Sequence, residues 1–289
     1  MQNNINNLQN DYKINKFKIN NNYQDIITTF LNINKNSNYY CFPTMLYVKI
    51  EPEFDINKII KCLSYNNLSF YYSNDKNLIF SICVGFFINL YGYTIENDYI
   101  LIPLNFKMFL ENVIFPKLKP LYINIENSGL NIFLDVEIVY TNENISESVF
   151  IQYVHKQEYK NFNKNHKLNI IINSNNLGKG FFIQTNIDLI KNIKLSLNNV
   201  ERLNYDEILL NTVCEKINNN IFYIPLNINE KYETCNSKSF SSSINFSRID
   251  ETTFEIDFKE PTNKIVIYSL NCNFMRNLED LLGLAFSLN

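Results

Sequence analysis

Residues Ser241–Phe258 read SSSINFSRIDETTFEIDF: a serine run, a short mixed segment, then a regular alternation. Phe254, Ile256 and Phe258 fall on one side of an extended chain, with Glu255 and Asp257 on the other. That period of two predicts a half-buried strand. Before it, Asn245 and Ser247 are turn formers whose side chains bond nearby backbone. Phe246 and Ile249 are the side chains such a turn would sink into a core. Arg248 offers a planar fork for a carboxylate or for carbonyls. Asp250 stands where it can cap the turn before the strand. These are folding tasks, and none of them is turnover chemistry.

The same pattern runs outward through most of the chain. NLSFYYS, YILIPLNF, LYINIEN, NIFLDVEIVYT, HKLNIIINS, FFIQTNI, IKLSLN, NIFYIPLNI and KIVIYSLNCNF are short β-prone runs, punctuated by Asn, Ser, Gly or Pro. In NIFLDVEIVY, Ile132, Leu134, Val136 and Ile138 share one face, and Asp135 and Glu137 share the other. Thr44–Phe54 reads as a strand closed by Pro52. Leu78–Tyr93 reads as one or two buried strands and falls short of the roughly 20 apolar residues of a membrane-spanning helix. Helical spacing is expected in Asp55–Leu63, with Asp55 as N-cap, and in Glu201–Ile217. Parallel α/β folds need helices between strands, so many strands with few helices predict antiparallel sandwiches. No close internal repeat stands out.

The chain has 289 residues, of which 46% are hydrophobic, enough for a sizeable core. Two tandem sandwiches fit that length, with Thr141–Ser148 the most polar boundary between strand clusters. Residues 1–34 are expected to form a flexible arm, because the first 22 are Asn-rich and weakly patterned. A net charge of −3 without a basic block argues against nucleic acid as a direct partner. The lysines of Lys160–Lys167 read as a solvated loop. Six scattered cysteines, with no CxxC pair, suit a reducing compartment. Cys83 and Cys272, inside apolar runs, read as small buried hydrophobes. The polar opening MQNNINNLQNDYK reads as no signal peptide.

Chemistry-bearing constellations are weak. His155 and His166 with Glu158 are the one conceivable metal cluster, and they read as loop residues. Asp135 and Glu137 are the one carboxylate pair of glycosidase type, and they read as the solvated face of a strand. No nucleophile elbow, dinucleotide fingerprint or phosphate loop is present. The chain is therefore expected to be no enzyme, with no cofactor and no metal.

Ile244–Asp250 resembles the C-terminal signature of the major capsid proteins of nucleocytoplasmic large DNA viruses. There a turn leads into N-F-S-R-I-D and then a strand. The tail is similar to that family too. Tyr268, Asn271, Asn273, Arg276 and Gly283–Ser287 (GLAFS) stand in the family's order. Tyr99–Tyr140 resembles the family's first-barrel segment, and Val149–Phe162 the start of its second barrel. Ile193–Leu203 resembles a segment in which Leu195, Asn198 and Arg202 match, with Asn199 where Gly is usual. The turn here, SFSSS, lacks the family's proline and glycine, and the chain is shorter and has no Trp.

The resemblance implies an all-β double jelly roll: two tandem eight-stranded antiparallel sandwiches with a few short helices. The expected parts are an arm over 1–34, a first roll over 35–148 and a second over 149–289. It implies Asn245, Phe246, Ser247, Arg248, Ile249, Asp250, Tyr268, Asn271, Asn273, Arg276 and Gly283 as structural residues. It implies a virion protein, assembled in the host cytoplasm, whose homotrimers of pseudo-hexameric outline tile an icosahedral shell. Its partners would be itself and neighbouring capsid proteins, with minor capsid proteins or an inner membrane touched by the arm. The alternatives are a minor capsid protein or a β-sandwich module that binds a carbohydrate or receptor. Tyr clusters in NYYCF (38–42) and FYYS (70–73) would then stack on sugars.

Overall fold

The computed structural model describes residues 13–18, 26–30, 38–72, 77–110, 113–115, 121–126, 129–141, 148–160, 166–172, 177–227, 243–262, 264–278 and 281–284. The chain divides into two units, Met1–Ile151 with Phe274–Ala285, and Gln152–Asn273 with Phe286–Asn289. The division falls a few residues past the expected 148/149 boundary, and part of the tail groups with the first unit.

The first unit holds β1 (Lys13–Lys18), β2 (Ile26–Phe30), β3 (Asn38–Lys49), β4 (Asn67–Tyr72), β5 (Asn77–Cys83), β6 (Thr94–Glu96), β7 (Tyr99–Pro103), β8 (Leu121–Glu126) and β9 (Ile132–Thr141). Three short helices lie between them: α1 (Ile56–Leu63), α2 (Val84–Tyr91) and α3 (Lys107–Leu110). The sheets run β1-β9-β3-β7-β6 and β2-β8-β4-β5, with antiparallel pairing throughout.

The second unit starts within β10 (Ser148–Lys160). It continues with β11 (Lys167–Ile171), β12 (Leu177–Gln184), β13 (Ile190–Leu197), β14 (Val200–Asp206), α4 (Glu207–Thr212), β15 (Glu215–Asn218), β16 (Ile221–Pro225), β17 (Ile244–Asn245), β18 (Thr252–Phe258) and β19 (Lys264–Leu278). Its sheets run β10-β19-β12-β16-β15, with β17 beside β12, and β11-β18-β13-β14. The end of β19 turns back into β20 (Leu281–Leu284).

Set aside the short strands β6, β15, β17 and β20, and each unit has the same eight strands in the same order. One sheet runs first–eighth–third–sixth and the other second–seventh–fourth–fifth. That is a jelly roll, and the chain carries it twice.

The alternation expected of β9 and β18 is present: Ile132, Leu134, Val136, Ile138, Phe254, Ile256 and Phe258 are buried. In the second roll they join one core with Phe181, Ile193, Phe222 and Ile267, drawn from both sheets. In the first roll, Phe70, Phe80, Phe87 and Phe106 pack with ring centroids 5.1–5.7 Å apart. Cys83 and Cys272 are buried as expected.

The rolls also share a detail that the sequence reading missed. In both, the third strand bulges against the eighth, at Thr44 in β3 and at Lys179 in β12. In both, a leucine just past the sixth strand donates its N–H to the bulge carbonyl. Leu104 N–H reaches Thr44 O at 2.9 Å, and Leu226 N–H reaches Lys179 O at 3.0 Å. These leucines lie in identical tetrapeptides, Ile102-Pro103-Leu104-Asn105 and Ile224-Pro225-Leu226-Asn227. Proline has no N–H, so the ladder stops there, and the next donor turns to the bulge. An internal repeat therefore exists, four residues long and placed by topology.

Three expectations are corrected. Leu78–Tyr93 is a strand, β5, followed by a helix, α2. An apolar run cannot separate a buried strand from a buried helix by periodicity. Glu201–Ile217 is not one helix: β14, α4 and β15 share it, because the left-handed residues Asn198 (φ 49) and Asn199 (φ 63) turn β14 back onto β13. Within the expected arm, residues 13–18 and 26–30 are strands β1 and β2, paired to β9 and β8. The rest of residues 1–34 lies outside the described residues. By contrast α1 begins as expected, with Asp55 Oδ1 accepting the Asn57 N–H at 2.9 Å. Among the described residues no helix is long and apolar enough to cross a membrane.

Gly85, in the first turn of α2, sits where a Cβ would lie 2.4 Å from the Ser64 carbonyl oxygen. Alanine is favoured over glycine in a helix by about 0.5–1 kcal/mol. Overpacking against backbone costs about 1–3 kcal/mol, so the clash wins. Gly85→Ala is expected to lower the thermal unfolding midpoint; an unchanged or raised midpoint in matched calorimetric scans contradicts this packing.

Candidate structural site around Asn245–Asp250

The INFSRID segment joins a short strand to a single 3-10 turn. Ile244 and Asn245 pair with Gly178 and Leu177 at the start of β12. The Asn245 side chain then closes the turn: Oδ1 accepts the Ser247 N–H at 3.1 Å and the Ser247 hydroxyl at 2.6 Å. Ile249 N–H donates to the Phe246 carbonyl at 3.1 Å. Asn245 thus bonds nearby backbone, whereas the Ser247 hydroxyl bonds the Asn245 side chain and not backbone.

Phe246 is 1% exposed, with its ring 6.1 Å from that of Phe181. It lies over Gly178 so closely that a Cβ there would be 2.2 Å from Cε2 of the ring. Ile249 packs on the same core, half-buried. The two expected anchors are both in place.

The chain leaving the turn is held from another strand pair. Asn198 Oδ1 accepts the N–H groups of Asp250 and Glu251, both at 3.0 Å. Asn198 N–H in turn donates to the Glu251 carbonyl at 2.8 Å. Asn198 and Asn199 both have positive φ, the geometry of a two-residue hairpin turn. The position where the resembling family has glycine thus needs a left-handed residue, which Asn tolerates. Two segments read separately as resemblances are physically one site.

Arg248 and Asp250 depart from their expected roles. Both are exposed, and neither makes an ion pair among the described residues. The cap expected of the Asp250 side chain is supplied by Asn198. Sequence reasoning missed Asn198 as a bridge and Gly178 as a platform. The Asn-Asn pair between two strand patterns carried the hairpin signal.

On its other side, Leu177–Gly178 pairs with β19, as Leu177↔Cys272 and Gly178↔Asn271. Asn271, 1% exposed, donates from Nδ2 to the Ser269 hydroxyl at 3.0 Å. Asn273 is fully buried, as is Tyr268, which sits in register with Phe182. Arg276 and Gly283 are partners in the β19–β20 hairpin, and the Arg276 side chain lies outside the described residues.

Burial raises two of the thiols. The Cys214 thiol is pushed up to about 12 by burial, and burial also raises Cys41. Both stay protonated at neutral pH, so neither supplies a thiolate nucleophile. Burial, and then the nearby Cys214, raises Tyr205, whose hydroxyl donates to Pro225 O at 2.8 Å.

Asp135 is 8% exposed, not solvated as expected, and accepts the Tyr47 hydroxyl at 2.6 Å. Burial, and then that bond, pushes Tyr47 up to about 12. Glu158 pairs with Lys264 at 3.1 Å. His166 lies on the surface, 3.3 Å from Phe258 O; the His155 side chain and residues 161–165 are outside the described residues. Among the described residues no three His, Cys, Asp or Glu side chains gather as a metal site. Of the Tyr clusters expected to stack on sugars, Tyr39 is buried and stacks on Phe115 at 5.6 Å, and Phe42 and Phe70 are buried too, while Tyr40 and Tyr71 are partly exposed and the Tyr72 side chain lies outside the described residues.

No family model and no curated protein matches the sequence. Solved structures do match. PBCV-1 VP54, as fitted into a reconstruction of the virophage Sputnik, has a TM-score of 0.67 at 11% identity, over 96% of this chain and 97% of that one. The PBCV-1 virus capsid model has 0.64 at 13% identity over the same shares. The Faustovirus major capsid protein has 0.54 at 7% identity, over 92% of this chain and 90% of that one. The chain has the double jelly-roll fold of these capsid proteins.

Replacing Asn198 by glycine keeps the left-handed turn but removes the acceptor of two N–H groups. The expected cost is about 1–3 kcal/mol, read as a lower denaturant midpoint. Asn199→Gly keeps the left-handed turn and removes no side-chain hydrogen bond among the described residues, so it is expected to be neutral or slightly stabilising. Equal losses in both variants contradict the bridging role. Gly178→Ala, which drives a Cβ into Phe246, is expected to lose more than Asn199→Gly in the same titration.

Proposed function

We propose that this chain is a structural capsid protein of a large DNA virus, working as a homotrimer with pseudo-hexagonal outline. The observation that carries the reading is the repeated roll: one jelly roll occurs twice, with the same bulge and the same IPLN stop, and the fold matches a capsid protein over 96% of this chain and 97% of that one. A ring of three such chains presents six nearly equivalent rolls, and closed rotational symmetry is the common route to such a ring. Six similar edges let one building block tile a closed shell. The function is surface complementarity, with obligate interfaces of roughly 2,000 Å² or more. The site around Asn245–Asp250 serves this by holding the second roll in one shape. The reading assigns the chain to the virion, with assembly in the host cytoplasm, and to contacts with itself and neighbouring capsid proteins. Minor capsid proteins or an inner membrane are the partners proposed for residues outside the rolls.

Light scattering of the purified protein is the test, with negative-stain images of the same peak. A particle of about three times 34.2 kDa with six-sided outlines is expected. A stable monomer at high concentration overturns the trimeric capsomer.

A further inference from the structure

The β2-β8-β4-β5 sheet of the first roll carries one line of residues that the core does not explain. Ile123 and Ile125 of β8, and Leu68 and Phe70 of β4, are fully buried on the core side. Asn124 and Ser69 alternate with them and so belong to the opposite face. On β5, Ser81 stands between the core residues Phe80 and Ile82 and pairs with Ser69. Register places Thr28, Asn124, Ser69 and Ser81 in one line across the four strands. Every residue in that line is small or short, uncharged and oxygen-bearing.

The hydrogen bonds along this line do not close. The Ser69 and Ser81 hydroxyls bond to each other at 2.9 Å, which uses one of their two protons. The other proton is left to donate. Asn124 is 8% exposed, and its Oδ1 is shut off from solvent with no hydrogen-bond donor in reach among the described residues. A spare donor and a spare acceptor thus occupy facing positions on β4 and β8. A buried acceptor left open lowers a folding equilibrium constant by roughly tenfold or more. Such groups are therefore nearly always met, by protein or by ordered water.

We propose that Asn124, Ser69 and Ser81 hold one internal water molecule. The water accepts the spare serine proton and donates to Asn124 Oδ1. An internal water is held by about two to four polar partners, and this line supplies three. Ser81 is partly exposed, so the water enters from the β5 side. A metal ion fits less well, because the line has no carboxylate to balance its charge. The bridge ties β8 to the β4–β5 pair through side chains as well as backbone. It lies within the first unit and is independent of how chains assemble.

The test uses the full-length protein. A crystal structure at a resolution that shows ordered water is expected to place one water within hydrogen-bond distance of Asn124 Oδ1 and of a serine hydroxyl. Denaturant titrations compare Asn124→Leu, Ser69→Ala and the double variant, with Thr94→Ala on the exposed strand β6 as control. Each single change is expected to lower the folding equilibrium constant about tenfold. The double variant should lose clearly less than the product of the two, because both changes release the same water. Thr94→Ala should change nothing. An Asn124→Leu variant as stable as the wild type, or more so, overturns the proposal, since the acceptor is then simply unpaired. So do independent losses in the double variant, a direct bond between Ser69 and Asn124 in the crystal, or an ion in place of the water. If Asn124→Leu fails to fold, the crystal structure of the wild type and the Ser69→Ala titration decide.

Discussion

The second roll depends on a residue with no side chain. Gly178 leaves the space that the Phe246 ring fills, and at the same residue β12 pairs with β17 on one side and β19 on the other. A Cβ at this position would push the ring out, and with it the turn that starts the seventh strand. Ring, turn and both strand pairings stand or fall together. This explains why a segment of turn formers and two apolar residues carries no chemistry yet is so specific in type.

Polar groups around this point are closed locally. Asn245 satisfies the turn it begins, Asn198 satisfies the two donors that follow it, and Asn271 bonds to Ser269. A buried donor or acceptor left open costs about 1–3 kcal/mol. Asparagine suits these places because its amide offers both a donor and an acceptor at short reach. The asparagine richness of the chain supplies structural caps as well as surface. Buried thiols held protonated and an aspartate committed to a tyrosine complete a molecule whose side chains are spent on shape.

The repeat works at the level of geometry more than of sequence. A third strand that bulges, a proline that stops the sixth strand and a leucine N–H that answers the bulge recur in both rolls. Around that shared point the side chains have diverged with their surroundings. Gly180 faces the Tyr223 ring where Met45 stands in the first roll, and Phe182, Tyr223 and Tyr268 are buried where Tyr47, Leu101 and Phe133 are partly exposed.

Much of this was legible in the residues. Alternation in β9 and β18, the Asp55 cap and the turn chemistry of Asn245 and Ser247 all follow from local rules, because each depends on neighbours within a few positions. The antiparallel class followed from many strands and few helices. What local rules left open was decided by contacts distant in sequence. Val84–Tyr91 became a helix although its apolar run suits a strand equally well. Asp135 became buried because Tyr47, on a strand 88 residues away, bonds to it. The Asp250 side chain faces solvent because Asn198, 52 residues before it, had already met the need for a cap. The IPLN pair was present in the sequence, but its meaning came only when both copies were found beside equivalent bulges. The sequence by itself determined strand, turn and class, since period and turn chemistry act through adjacent residues. The tertiary structure decided which polar groups are paired and which apolar residues are buried, since those depend on strands that meet only once the sheets have formed.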